Sequence, residues 1–167
     1  MVLRVLILTS LSVVLLACGF HLRGPVELPA VLKETRIVGV AEFAPLSLQL
    51  KKVLTNAGAK VLPAATKITA STITISNELY EKRVLSVDSQ GRASEYGLVY
   101  SFYFEVSGEA GKILVPSQKI ELIRDYRFDP NSVLAKDAEE AKIHADMIDF
   151  AVHQLIRRVD ATLKSKA

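Results

Sequence analysis

The pattern that most narrows the fold runs from Leu98 to Val106. Leu98, Tyr100, Phe102, Phe104 and Val106 occupy every second position, opposite Ser101, Glu105 and Ser107. A period of two belongs to a β-strand with one apolar face, because successive side chains point to opposite sides. Such a face has to be covered by a second layer. The cover is written near the end of the chain. Ile143, Met147, Ala151, Leu155 and Val159 form one stripe at helical spacing, with Ile148, Val152 and Leu163 beside it. Asp137, Glu139 and Glu140 open this segment and Arg157, Arg158, Lys164 and Lys166 close it, the order a helix dipole favours.

The remaining elements fit between these two. Thr35 to Val40 is a short β-branched run and predicts a first strand. Pro45 then opens a helix whose apolar face carries Leu46, Leu50, Val53, Leu54 and Ala57, and Gly58 ends it. Lys60 to Leu62 is a brief strand candidate before Pro63. From about Lys67 the chain is β again, clearly in Thr72 to Ser76 and weakly on to Val87, where Asp88 to Gly91 form a turn cluster. Gly108 to Pro116 read as a loop, and Lys119 to Phe128 as a further strand with Ile120 and Leu122 inward. The order β-α-β-β-β-α predicts an α+β fold, with both helices on one face of a mixed or antiparallel sheet of about four strands. A chain of 167 residues suits a single domain.

The N-terminus reads as an address. Arg4 precedes an apolar run from Val5 to Leu16, too short for a bilayer span of about 20 residues. It ends in Leu15-Leu16-Ala17-Cys18, and Cys18 is the single cysteine of the chain. This resembles a bacterial lipobox, in which the cysteine is acylated and becomes the new N-terminus. Residues 1–17 are therefore expected to be a cleaved signal peptide and 18–34, with Pro25 and Pro29, an acylated N-terminus and tether. Residues 35–167 are the folded domain. Gly19 is not the Asp that retains lipoproteins at the inner membrane, which favours the outer one. Loss of residues 1–17 removes one basic residue, Arg4, and takes the formal net charge from +3 to +2. So small an excess argues against nucleic-acid binding.

Catalytic chemistry has little to work with. The chain contains no nucleophile elbow, no Walker loop, no dinucleotide fingerprint and no zinc-protease motif. His144 and His153 lie too far apart in helical phase to share a metal, and Glu139, Glu140, Asp146 and Asp149 suit dipole and solvent better than acid–base work. No enzyme activity, metal or cofactor is expected. The binding candidates are cations: Lys82, Arg83 and Arg92 near the turn between two long strands, and Lys136 ahead of the last helix. They are either ordinary surface charge or donors to the phosphates of an anionic lipid. Tyr103 is out of phase with its strand's apolar face and is a partner candidate on the other side.

Several segments, in order, resemble one family. These are Cys18-Gly19-Phe20-His21-Leu22-Arg23-Gly24, Gly91-Arg92-Ala93-Ser94-Glu95-Tyr96, Leu134-Ala135-Lys136-Asp137 and Gln154-Leu155-Ile156-Arg157-Arg158. The chain is similar to LptE, the lipopolysaccharide-assembly lipoproteins of Gram-negative outer membranes. The resemblance implies a sheet of about four strands with two helices, held as a plug inside the lumen of the LptD β-barrel and facing the periplasm. It further implies that the protein assists assembly of that barrel and binds lipopolysaccharide on its way to the outer leaflet. Lys136 matches one of the family's lipid contacts, and the other, a basic turn residue, corresponds to Ser89, so Arg92 is the candidate to supply that charge. The competing expectation is a different outer-membrane-tethered α+β binding lipoprotein, with peptidoglycan or a secretion pore as partner.

Overall fold

A computed structural model describes residues 28–65, 70–127 and 133–166. The expected signal peptide, Cys18 and most of the tether lie outside the described residues. Strands β1 (Glu34–Val38), β2 (Lys60–Leu62), β3 (Ser71–Val87), β4 (Ala93–Ser107) and β5 (Ile113–Arg127) form one sheet in the order β2-β1-β3-β4-β5. Helices α1 (Pro45–Asn56) and α2 (Val133–Lys164) complete it. β1 is parallel to β2 and to β3, whereas β3, β4 and β5 run antiparallel as consecutive hairpins. The α+β prediction therefore stands, with five strands instead of about four. The additional one is Lys60–Leu62, which pairs parallel to β1 at the sheet edge with Glu34 opposite Lys60.

The period-two run forms the middle of the core. Leu98, Tyr100, Phe102 and Val106 are completely buried and Phe104 nearly so. Ile73 and Ile75 of β3 lie on the same face, paired with Val106 and Phe104. Against them pack Leu46, Leu50 and Leu54 of α1 and Met147, Ala151, Val152, Leu155, Ile156 and Val159 of α2. Both helices thus cover one face of the sheet, and β4 donates every second side chain to the contact.

Three boundaries differ from the sequence reading. β5 begins at Ile113, so the connection is only Gly108 to Lys112, with a 3-10 turn at Glu109–Gly111. Pro116 lies inside a strand because β5 is an edge and the β4–β5 register shifts at that point, where no ladder N–H is required of it. α2 begins at Val133, which puts Leu134 to Asp137 in its first turns and not in a loop before it. Ala, Leu and Lys are all strong helix formers, and nothing in that stretch stops the helix. Finally, the segment read as tether joins the fold at its end. Ala30–Leu32 form a 3-10 turn, Leu32 is fully buried, and Ser71 Oγ donates to the Val31 carbonyl at 2.5 Å.

Candidate functional site

The β3–β4–β5 sheet changes character along its length. Near its start the helix-facing rows are Ile and Phe. Farther out the same rows carry Tyr80 opposite Tyr100, Lys82 opposite Leu98, and Val84 opposite Tyr96, with Tyr126 of β5 opposite Tyr96. The N-terminal half of α2 crosses this part of the sheet and brings Glu140 and His144 to it.

Three donors converge on the Glu140 carboxylate. Lys82 Nζ lies 2.5 Å from Oε2, Tyr126 donates its hydroxyl to Oε2 at 2.9 Å, and Tyr80 donates to Oε1 at 3.2 Å. The Lys82 ammonium also sits 4.3 Å from the centre of the Tyr96 ring and 5.5 Å from that of Tyr126, within cation–π range. His144 stacks on Tyr80 with ring centres 3.9 Å apart and meets Tyr100 edge-on. Tyr100 in turn donates to Glu78 Oε1 at 2.7 Å. A shallow groove of about 410 Å³, lined by Tyr80, Lys82, Glu140, Ala141 and His144, opens beside the cluster.

The electrostatics follow from partial burial and these bonds. Burial opposes the Lys82 charge, but its bonds to Glu140 and Tyr126 outweigh that and hold the ammonium above its usual range. Burial likewise opposes the Glu140 charge, yet Lys82, Tyr126 and Tyr80 together keep the carboxyl below its ordinary value. Tyr80 is pushed up to about 12, first by burial and then by the adjacent Glu140. Burial lowers the His144 imidazole, against the pull of Glu78 and Glu140. The arrangement can hold an anion; it presents no activated nucleophile. Among the described residues no group of His, Cys, Asp and Glu is placed to hold a metal, and no helix is long and apolar enough to cross a membrane.

The four candidate cations are not one patch. Lys82 belongs to the cluster just described. Lys136 is in α2, one helical turn before Glu140, so its backbone is on the same side of the sheet. Arg83 is next to Lys82 in β3 and therefore faces the opposite side, where it pairs with Glu81 at 2.7 Å. Arg92 is at the hairpin tip, roughly 17 Å beyond Lys82 at a strand rise of about 3.4 Å per residue. There its Nε binds Asp88 Oδ2 at 2.8 Å, while Asp88 Oδ1 accepts the backbone N–H groups of Gln90 and Arg92. These bonds, the Arg92 N–H foremost, hold the Asp88 carboxyl below its normal range. Cys18 lies outside the described residues.

The face away from the helices has no covering layer among the described residues. It carries Leu79, Leu85 and Ile123, exposed by 50%, 52% and 60%, together with Tyr103, which was singled out for being out of phase. Ion pairs Glu81–Arg83 and Lys119–Glu121 lie among them.

Sequence reasoning passed over Tyr80, Tyr96, Tyr126, Glu140 and His144. Glu140 in particular was assigned to the helix dipole and to solvent, but it is a half-buried acceptor of three bonds. Periodicity alone could not have placed Tyr80: the β3–β4 register shifts between Ser76 and Leu79, so Tyr80 and Lys82 fall out of the Ile73/Ile75 phase and face the helices only through that irregularity.

The family model described as LptE, lipopolysaccharide-assembly, matches residues 35–159. The LPS-assembly lipoprotein LptE of Photorhabdus laumondii is 28% identical over 155 residues, covering 92% of this chain and 83% of its own length. That of Pectobacterium atrosepticum is 26% identical over 142 residues, covering 85% and 76%. Among solved structures, the solution structure of an uncharacterized lipoprotein B from Nitrosomonas europaea is similar with a TM-score of 0.69 at 34% identity, over 86% of this chain and 91% of that one. The crystal structure of the rare lipoprotein B from Shewanella oneidensis shares the fold, with a TM-score of 0.67 over 77% of this chain and 95% of that one.

Proposed function

From the premise that the chain belongs to the LptE lipopolysaccharide-assembly family, we propose that it is a non-enzymatic outer-membrane lipoprotein that plugs an LptD-type β-barrel, assists its assembly and binds lipopolysaccharide. Acylation of Cys18, after removal of residues 1–17, tethers it to the periplasmic side of the membrane. The domain of residues 35–167, extended by the buried Leu32, then sits in the barrel lumen.

The observation that carries this reading is the bare sheet face. Several large apolar side chains left open on one uncovered sheet face mark a candidate contact surface. Leu79, Leu85, Tyr103 and Ile123 lie on three adjacent strands, with charged pairs between them. Such a mixed surface suits the wall of a wide barrel, whose interior is polar. The other face supplies the lipid contacts. Lys136 and Lys82 are assigned to lipopolysaccharide phosphates, with Arg92 reaching the same ligand from the hairpin tip. Arg83, on the opposite face, is assigned to the barrel side.

Co-purification tests the assembly. The lipidated chain, expressed in a Gram-negative host together with a tagged LptD-type barrel, should be recovered with the barrel in a fixed ratio after detergent extraction. Recovery of the barrel without the chain would overturn the proposal. In the same preparation Lys136→Glu should weaken lipopolysaccharide binding while the thermal midpoint changes little. Equal loss of both would make Lys136 structural.

A further inference from the structure

We propose that the Lys82–Tyr80–Tyr126 cluster is an oxyanion site for a phosphate monoester, held shut by the chain's own Glu140. The geometry is that of an occupied anion site: one ammonium and two phenol hydroxyls aim at the two oxygens of a single carboxylate, at 2.5, 2.9 and 3.2 Å. Lys82 and Glu140 remain open to solvent, with 36% and 22% of their side chains exposed, so a solute reaches both. The groove beside them gives a ligand room, with Lys82 and Tyr80 among its lining residues.

A second observation is independent of the ion pair. His144 Nε2 is buried and has no hydrogen-bond partner among the described residues, and His144 lines the same groove. An unpaired buried ring nitrogen is costly unless something satisfies it. A phosphate monoester, with a charge near −2 and three strong acceptor oxygens, offers the donors more than a carboxylate does. It accepts from Lys82, Tyr80 and Tyr126 at once, and from His144 when Nε2 carries the proton. Glu140 is joined to the backbone by three rotatable bonds and swings clear when displaced. The carboxylate therefore sets a threshold: weak or singly charged anions do not open the site, and a phosphate does. As regulation of the lipid-facing surface this rests on the lipopolysaccharide reading above; as an oxyanion site it does not.

The test uses the full chain in detergent micelles and inorganic phosphate as probe, titrated by calorimetry. Glu140→Gln keeps the side-chain shape and removes the competing charge. It should bind phosphate at least about tenfold tighter than the wild type, the factor equivalent to 1.4 kcal/mol. Adding Lys82→Met to Glu140→Gln should abolish the gain. Glu140→Asp, one methylene shorter, is the second variant and should gain less, in the same direction. Equal phosphate affinity in the wild type and both single variants overturns the proposal, as does a gain that survives Lys82→Met. Purified lipopolysaccharide forms a second arm. A parallel gain assigns the lipid's phosphate as ligand, and a gain confined to inorganic phosphate assigns the free anion; both support the site. If neither wild type nor variants bind lipopolysaccharide while the phosphate gain persists, the lipid reading fails and the oxyanion site stands.

Discussion

Lys82→Met and Glu140→Gln, alone and together, measure how firmly the outer half of the hairpin is fastened to α2. The ion pair links residues 58 apart in sequence, with its Lys82 Nζ–Glu140 Oε2 distance of 2.5 Å. A hydrogen bond to a charged partner contributes about 1.5–3 kcal/mol when well protected. Exposed pairs contribute only about 0.2–1 kcal/mol. Lys82 is 36% exposed and Glu140 22% exposed, which places this pair between the two cases. After discounting for solvent, the coupling energy should be about 1 kcal/mol. Urea denaturation of the wild type, the two single variants and the double variant yields that coupling directly. Its pH dependence has a definite sign. The Glu140 carboxyl is lowered in the fold, so its share is complete above the ordinary value of 4.5 and is lost as pH falls through the folded value. The Lys82 ammonium is raised, so its share is complete below 10.5 and is lost only as pH rises through a still higher value. The coupling should therefore be level between about pH 5 and pH 10 and smaller at pH 3. A coupling near zero at pH 7, or one no smaller at pH 3 than at pH 7, would refute this reasoning.

Other predictions concern the core, the backbone and His144. Phe102→Ala removes a completely buried ring from the centre of β4 and should cost about 3–5 kcal/mol in urea unfolding; a loss under 1 kcal/mol would mean that the core is not packed as described. Gly39 has φ of +84°, and a Cβ there would lie 2.0 Å from the Ile75 carbonyl oxygen, whereas Gly58 has φ of +88° with open space around it. Gly58→Ala should cost about 1–2 kcal/mol from the left-handed backbone alone, and Gly39→Ala distinctly more, by the same denaturation measurement. His144 is faced by Tyr80, Lys82 and Glu78 of β3, Tyr100 of β4 and Glu140 of its own helix, and burial holds its imidazole below the ordinary 6.5. Stability is then complete above pH 6.5 and declines as pH falls through the folded value. His144→Phe keeps the stacking and should flatten that decline between pH 7.5 and 5; an identical slope in both proteins would assign it elsewhere.

What the sequence disclosed was whatever one element carries by itself. The alternation from Leu98 to Val106 and the stripe from Ile143 to Val159 are local patterns, and both bury the residues they predict, Ile143 in part. Lys60–Leu62 stood out only weakly because three residues cannot establish a period; its strand exists through pairing with β1. Pro116 pointed to a loop because the tolerance of a strand for proline depends on whether it lies at an edge, which is a property of the sheet. The site was less legible than the fold for the same reason. Glu140 belongs with Tyr80, Lys82 and Tyr126 only once β3 and β5 lie on either side of β4 under α2. The cations Lys82 and Arg83 look like neighbours in sequence, and strand geometry sends them to opposite faces. The family motifs located Lys136, and the structure adds that it stands one turn from Glu140 in the same helix.

The claim on which the account depends is that the bare sheet face lies against a barrel wall, and site-specific photo-crosslinking in living cells tests it most directly. A photoreactive residue at Ile123 of β5 or Leu79 of β3, both exposed on the bare face, should give a covalent adduct with an LptD-type barrel. Adducts with other proteins or with peptidoglycan only, and none with the barrel, would contradict the account.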